Sequence, residues 1–201
     1  MKRLLGLLLA MAVGVETMSA AGRAAEILEG MAAEFRSMKG YEVEFSIEAG
    51  DYYASGSYAV RGEAYTLTLG DAEVYCDGRV RYEVDKVRRE VTIVGVDTTS
   101  RNILNNPVRA FDFLGDDYRS ELLSEADGKA VIRLTPAAGS GASAGEITVT
   151  VATDGMRPER LDYDFDGERI RVDVRRVAPL TAPLAAFDRS RFEGFEFIDF
   201  R

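Results

Sequence analysis

The chain has 201 residues, with 25 Lys and Arg against 34 Asp and Glu, a formal net charge of −9, one cysteine and no histidine. So acidic a chain, without a basic stripe interleaved with aromatics, points away from nucleic acid as a partner. The lack of histidine removes Ser-His and Cys-His dyads and most zinc sites, and one cysteine cannot close an internal disulfide.

No glycine-rich phosphate loop is present. Asp and Glu fall mostly in turns and on the polar parity of strands, where solvated charges sit. Neither catalysis nor a metal or cofactor is therefore expected. Lys2 and Arg3 precede an apolar run, Leu4 to Val15, that is too short for a spanning helix, which needs roughly twenty residues. Ser19-Ala20-Ala21 then fits the small-x-small rule for signal peptidase. Residues 1–21 read as a secretory signal, and 22–201, roughly 180 residues, suit one domain with a sizeable core. An exported monomer is expected.

Residues 24–39 place Ile27, Leu28, Met31, Phe35 and Met38 at spacings of three and four. This predicts an amphipathic helix, ended by Gly40, that covers one side of a sheet. Strands follow at 41–49, 52–61 and 64–69, punctuated by Gly50-Asp51 and Gly62. In 72–96, Val74 and Cys76 alternate with Glu73 and Tyr75. After Asp77-Gly78, Val80, Tyr82 and Val84 alternate with Arg79, Arg81 and Glu83, and Val91 and Ile93 start a third run. A period of two means that one face packs and the other meets water. Connections this short make neighbours antiparallel. Cys76 shares parity with Val74 and reads as an inert buried thiol.

Residues 97–114 break the alternation. Asp97 or Thr98 caps a turn carrying Ile103 and Leu104. Asn106-Pro107 then starts a helix with Val108, Phe111 and Leu114 on one side. Such segments must lie against one face of the sheet or across its mouth. Strands resume at 118–125 and 129–135. Beyond the small-residue loop 136–145, Ile147, Val149 and Val151 alternate. Leu161, Tyr163 and Phe165 are set against Asp162 and Asp164, and Ile170, Val172 and Val174 against Arg169, Arg171, Asp173 and Arg175. Facing rows of Asp and Arg predict cross-strand ion pairs on a solvent face. With a short strand near the C-terminus, the fold class is mainly β (α+β). It is a curved antiparallel sheet of about eleven strands, curled into an incompletely closed barrel.

The order of these features resembles the LolA-like outer-membrane lipoprotein carrier proteins, as a divergent branch, over nearly all of 22–201. The matching features are a signal peptide, an amphipathic helix, a meander with a central Asp-Gly hairpin, an Asn-Pro-initiated helical insertion and late hairpins. The resemblance implies a periplasmic half-barrel that holds acyl chains beneath helical lids. It also implies acylated lipoproteins or lipids as cargo and an inner-membrane lipoprotein-releasing transporter as donor. Where better-known members carry Arg-Pro-x-x-Phe, this chain has Arg61-Gly62-Glu63-Ala64-Tyr65. By that likeness Arg61 holds the lid through its fork of donors, and Tyr65 touches the lipid together with Phe45, Leu67 and Leu69. Ile103, Leu104, Val108, Phe111 and Leu114 would form the lid. Read without the resemblance, Arg61 is a solvated strand-end charge and Tyr65 is ordinary core. The rival function is a lipid- or lipoprotein-sensing regulatory module of the RseB-like type. Such modules usually carry a second domain after the barrel, whereas this sequence ends at Arg201. A structural surface protein is the third reading.

Overall fold

The structure, a computed structural model, describes residues 20–97, 108, 117–140, 142, 145–165 and 167–201. Helix α1 (Ala20–Ser37) buries Ala24, Ile27, Leu28, Met31, Ala32 and Phe35 along one stripe. It starts and ends earlier than the periodicity suggests. Ser37 Oγ donates to Glu34 O at 2.7 Å and Met38 N to Phe35 O at 3.2 Å, which satisfies the last carbonyls and closes the helix. Met38 and Lys39 then lead through Gly40, where a Cβ would stand 2.8 Å from Val60 O. Only glycine lets the chain pass that strand so closely. Residues 1–19 of the expected signal lie outside the described residues, while Ala20 and Ala21 open α1.

Twelve strands follow: β1 (Tyr41–Ala49), β2 (Tyr52–Arg61), β3 (Ala64–Leu69), β4 (Ala72–Cys76), β5 (Val80–Asp85), β6 (Glu90–Gly95), β7 (Tyr118–Ala126), β8 (Lys129–Pro136), β9 (Ile147–Ala152), β10 (Arg157–Phe165), β11 (Glu168–Pro179) and β12 (Glu196–Asp199). They form one open sheet in the order β12-β6-β5-β4-β3-β2-β1-β11-β10-β9-β8-β7. This is the expected half-barrel with its helix, and the sheet does not close. All neighbours are antiparallel except β12, which runs parallel to β6. The exception has a simple cause. Leu180 N donates to Gly40 O at the end of the sheet where β1 starts, here called the upper end. The chain descends the outer face from there, and it can only rejoin the sheet on the way back up.

The other edge is β7. β6 lies next to one edge and β7, the next strand among the described residues, forms the opposite one.

Two cores flank the sheet. On the α1 side, Ile27, Met31 and Phe35 pack with Tyr41, Tyr65, Cys76, Ile132, Leu134 and Val151. The outer side of β1, β10 and β11 carries the expected ion pairs. Arg160 meets Asp173 at 2.7 Å, Arg171 meets Asp162 at 3.0 Å, and Arg176 bridges Glu42 and Glu44 at 2.8 and 2.9 Å. Apart from Asp162, whose side chain is 12% exposed, these groups are solvated, and such pairs contribute little.

At β4 and β5 the one-face reading fails. Tyr75 lies opposite Tyr82, Val74 opposite Glu83 and Cys76 opposite Arg81. The apolar parity therefore changes side across the Asp77-Gly78 turn, where Gly78 has φ +90°. Val74 and Cys76 face α1, whereas Tyr75, Tyr82, Val84, Val91 and Ile93 face outward. That outer patch is not left in water, because Phe187, Phe192, Phe195 and Phe197 from the C-terminal segment cover it.

Candidate functional site

The α1 side of β1–β3 carries an aromatic row. Phe35 meets Tyr41 edge-on with centroids 4.8 Å apart, Tyr41 meets Tyr58 at 6.0 Å, and Tyr58 meets Tyr65 at 6.3 Å. Pairing register fixes this row, since Tyr41 and Tyr65 both lie opposite Val60 on the intervening strand. Lower on the same face the residues are aliphatic. Leu67 lies opposite Tyr58 and Val74, and Leu69 opposite Gly56 and Ala72. Phe45 lies opposite Gly56. Phe45, Leu67 and Leu69 are only half-buried, in contrast to the fully packed positions beneath α1.

Gly56 makes room for the Phe45 ring. A Cβ there would stand 2.7 Å from Phe45 Cζ and 2.7 Å from Thr68 O. The ring could turn away, but the Thr68 carbonyl is backbone and cannot. Gly56→Ala should therefore destabilise the fold by about 1–3 kcal/mol, as overpacking does. Chemical denaturation would measure this, and an unchanged midpoint would show that the strand yields there.

Two clefts flank the Met38-Lys39-Gly40 bend at the upper end. One, of about 240 Å³, is lined by Phe35, Tyr41, Val60, Gly62 and Val108. The other, of about 460 Å³, is lined by Glu34, Lys39, Arg157, Val177 and Leu180. Val108 is half-buried against the α1 core. The other lid candidates, Ile103, Leu104, Phe111 and Leu114, lie outside the described residues. Arg61 is at the end of β2, and its Nη2 donates to Leu180 O at 3.1 Å and Ala182 O at 2.9 Å. The backbone held by this one nitrogen is thus that of the segment after β11.

Nothing in this row is poised for proton transfer at neutral pH. Burial pushes the Tyr65 hydroxyl up to about 12 and raises Tyr41 and Tyr58 as well. Burial likewise raises the Cys76 thiol, which accepts from Gly78 N at 3.3 Å and sits as the inert thiol the sequence suggests.

Sequence reasoning missed the outer cluster. Beneath its aromatic cover, Glu73 accepts from Tyr75 Oη at 2.6 Å and from Lys86 Nζ at 2.6 Å, and Arg191 donates to Tyr75 Oη at 2.7 Å. The signal was available in the density of Phe187, Phe192, Phe195 and Phe197, too many aromatics for an exposed tail.

No family model matches the chain, and no curated protein matches it. Among solved structures, an uncharacterized conserved protein from Thermus thermophilus aligns with 88% of this chain and 99% of its own, with TM-score 0.54 and 8% identity. A LolA superfamily protein from Nitrosomonas europaea aligns over 80% and 94%, with TM-score 0.40 and 13% identity. With the Thermus protein the likeness is one of overall fold. Among the described residues, the helix, the meander and the late hairpins come in the order that the sequence resemblance implied, while most of the expected helical insertion lies outside them. The complex of MucA and MucB from Pseudomonas aeruginosa is also similar, with TM-score 0.43 and 18% identity over 86% of this chain. This chain spans about 61% of the matched chain of that complex. At such identities the likeness is one of fold alone and assigns no cargo.

Proposed function

We propose that this LolA-like chain is a periplasmic carrier that shelters acyl chains on the α1 side of its half-barrel and passes acylated lipoproteins towards the outer membrane. An inner-membrane lipoprotein-releasing transporter would be its donor, residues 1–21 its export signal and 22–201 its single carrier domain. The observation that supports this reading is the half-buried apolar strip of Phe45, Leu67 and Leu69, continuous with an aromatic row and opening at the clefts beside α1. Each buried methylene stabilises by about 0.8 kcal/mol, so one long acyl chain has roughly 10 kcal/mol of exposure to avoid in water. A sheet open along its edges, with a helix across one face, offers that surface without any bond being made or broken. Among the described residues no helix is long and apolar enough to cross a membrane.

On this reading the native protein, recovered from the periplasm, carries acylated species that mass spectrometry identifies. The purified protein also binds a fluorescent acyl probe, and Leu67→Glu weakens that binding at least about tenfold by placing a charge against the alkyl chain. Circular dichroism checks that the variant is folded. A wild-type protein that binds no acyl probe, or a folded Leu67→Glu variant that binds it as well as the wild type, would overturn the assignment.

A further inference from the structure

The upper end of the α1 face holds a polar spot that packing does not explain. Tyr65 is 3% exposed. Its hydroxyl stands beside Arg81 and Cys76 and that of Tyr58 beside Tyr41, yet neither completes a hydrogen bond of good geometry among the described residues. Buried hydroxyls ordinarily find one, because an unmade bond forfeits the water that was stripped away. Arg81 lies next along the same face. Tyr65 is opposite Cys76 and Cys76 is opposite Arg81, which turns the guanidinium towards α1. The Arg81 side chain is 17% exposed and is ion-paired with Glu83. Its charge acts on the Tyr65 hydroxyl, opposing the effect of burial. The cleft of about 240 Å³ lies one strand away, where Val60, which is opposite Tyr65, forms part of its wall. Below it runs the strip of Leu67, Leu69 and Phe45.

We propose that the Tyr58 and Tyr65 hydroxyls, with the Arg81 guanidinium beside them, bind the carbonyl oxygen at the head of an acyl chain whose alkyl tail lies along Leu67, Leu69 and Phe45. This rests on the acyl-binding reading above and adds a chemical class to it. The site selects acyl esters and acids over alkyl ethers of equal length. Phenols and a guanidinium are donors, and a carbonyl oxygen offers two lone pairs to them. The position fits as well, since the donors stand at the upper end of the face and the apolar strip runs down from them. Free fatty acids and ester-linked lipids share the carbonyl, so both are candidates. Glu83 beside Arg81 favours the neutral ester over the carboxylate.

The test uses the full chain and three probes: palmitic acid, methyl palmitate and methyl hexadecyl ether, each displacing a solvatochromic apolar dye. The wild type is expected to bind at least one of the two carbonyl compounds about tenfold more tightly than the ether, the worth of one good hydrogen bond. Palmitate ahead of methyl palmitate identifies the free acid as the source, and the reverse order identifies the ester. In the Tyr58→Phe/Tyr65→Phe variant this preference falls to about twofold or less. The ligand-free variant melts higher, because two unsatisfied hydroxyls are gone. A wild type that binds all three probes equally overturns the proposal while leaving acyl binding in place, and so does a double variant that keeps the full preference. A wild type from which none of the three displaces the dye overturns the acyl-binding reading, and this proposal with it.

Discussion

Phe192→Ala should destabilise the protein by about 3–5 kcal/mol, the usual result of truncating a buried phenylalanine. Phe192 is 4% exposed, and it stands at the centre of the cover over β4–β6. Its ring stacks on Phe187 with centroids 5.5 Å apart, and Phe187 stacks in turn on Tyr82 at 4.1 Å. The backbone around it is fixed from both sides. Asp188 Oδ1 caps the short 3₁₀ turn of residues 189–192 by accepting from Ser190 N at 3.0 Å, and Phe195 N donates to Phe192 O. The surroundings thus have little freedom to collapse into the cavity. Removing the ring would also loosen β12, whose hold on the sheet is one parallel pairing with β6. Urea unfolding would measure the effect. A loss below about 1 kcal/mol, the size of an ordinary surface change, would mean that the outer cluster is an ornament of the sheet and not a second core.

That cluster also shows where the sequence was legible and where it was not. Alternation located the strands, because a period of two survives wherever one face packs. The Gly50, Gly62 and Gly78 turns carry the positive φ that marks hairpins, so the boundaries of β1–β5 could be read closely. Alternation does not say which face of one strand joins which face of the next. Cys76 and Tyr82 look like one apolar set in a string of letters. The register places them on opposite sides of the sheet, because Cys76 pairs with Arg81. Once the parity has switched, an outward apolar patch demands a cover, and the phenylalanine-rich C-terminal segment supplies it.

The candidate site was legible in part. Tyr65, Leu67, Leu69 and Phe45 fall on one face because they share parity across strands whose register the short turns enforce. Arg61 was placed at a strand end, yet its partners at Leu180 and Ala182 lie about 120 residues further on, beyond the reach of local pattern. The lack of a well-formed hydrogen bond at the Tyr58 and Tyr65 hydroxyls among the described residues could not be read at all, since an unmade bond leaves no trace in a sequence.

Glu73 provides the second large effect, and a pH signature with it. Its side chain is 10% exposed on the outer face of β4, among aromatic rings. Burial alone would raise its pKa. The hydrogen bonds from Lys86 and Tyr75, with the Lys86 and Arg191 charges, outweigh burial and hold the carboxyl below its ordinary value. A carboxyl with a depressed folded-state pKa contributes stability that is present above its unfolded value and is lost as pH falls through the folded one. Glu73→Gln keeps the shape and removes the charge, leaving Lys86 and Arg191 without their counter-ion. Breaking a fully buried pair costs about 3–5 kcal/mol. Lys86 and Arg191 are 40% and 50% exposed and stay largely solvated, so the expected cost at neutral pH is smaller, about 2 kcal/mol. The gap between wild type and Glu73→Gln should then narrow as pH drops from about 7 to about 3, because the wild type alone loses the carboxylate's contribution. Urea midpoints of both proteins across that range would show it. A gap that stays constant over the whole range would mean that Glu73 acts through its shape and not through its charge.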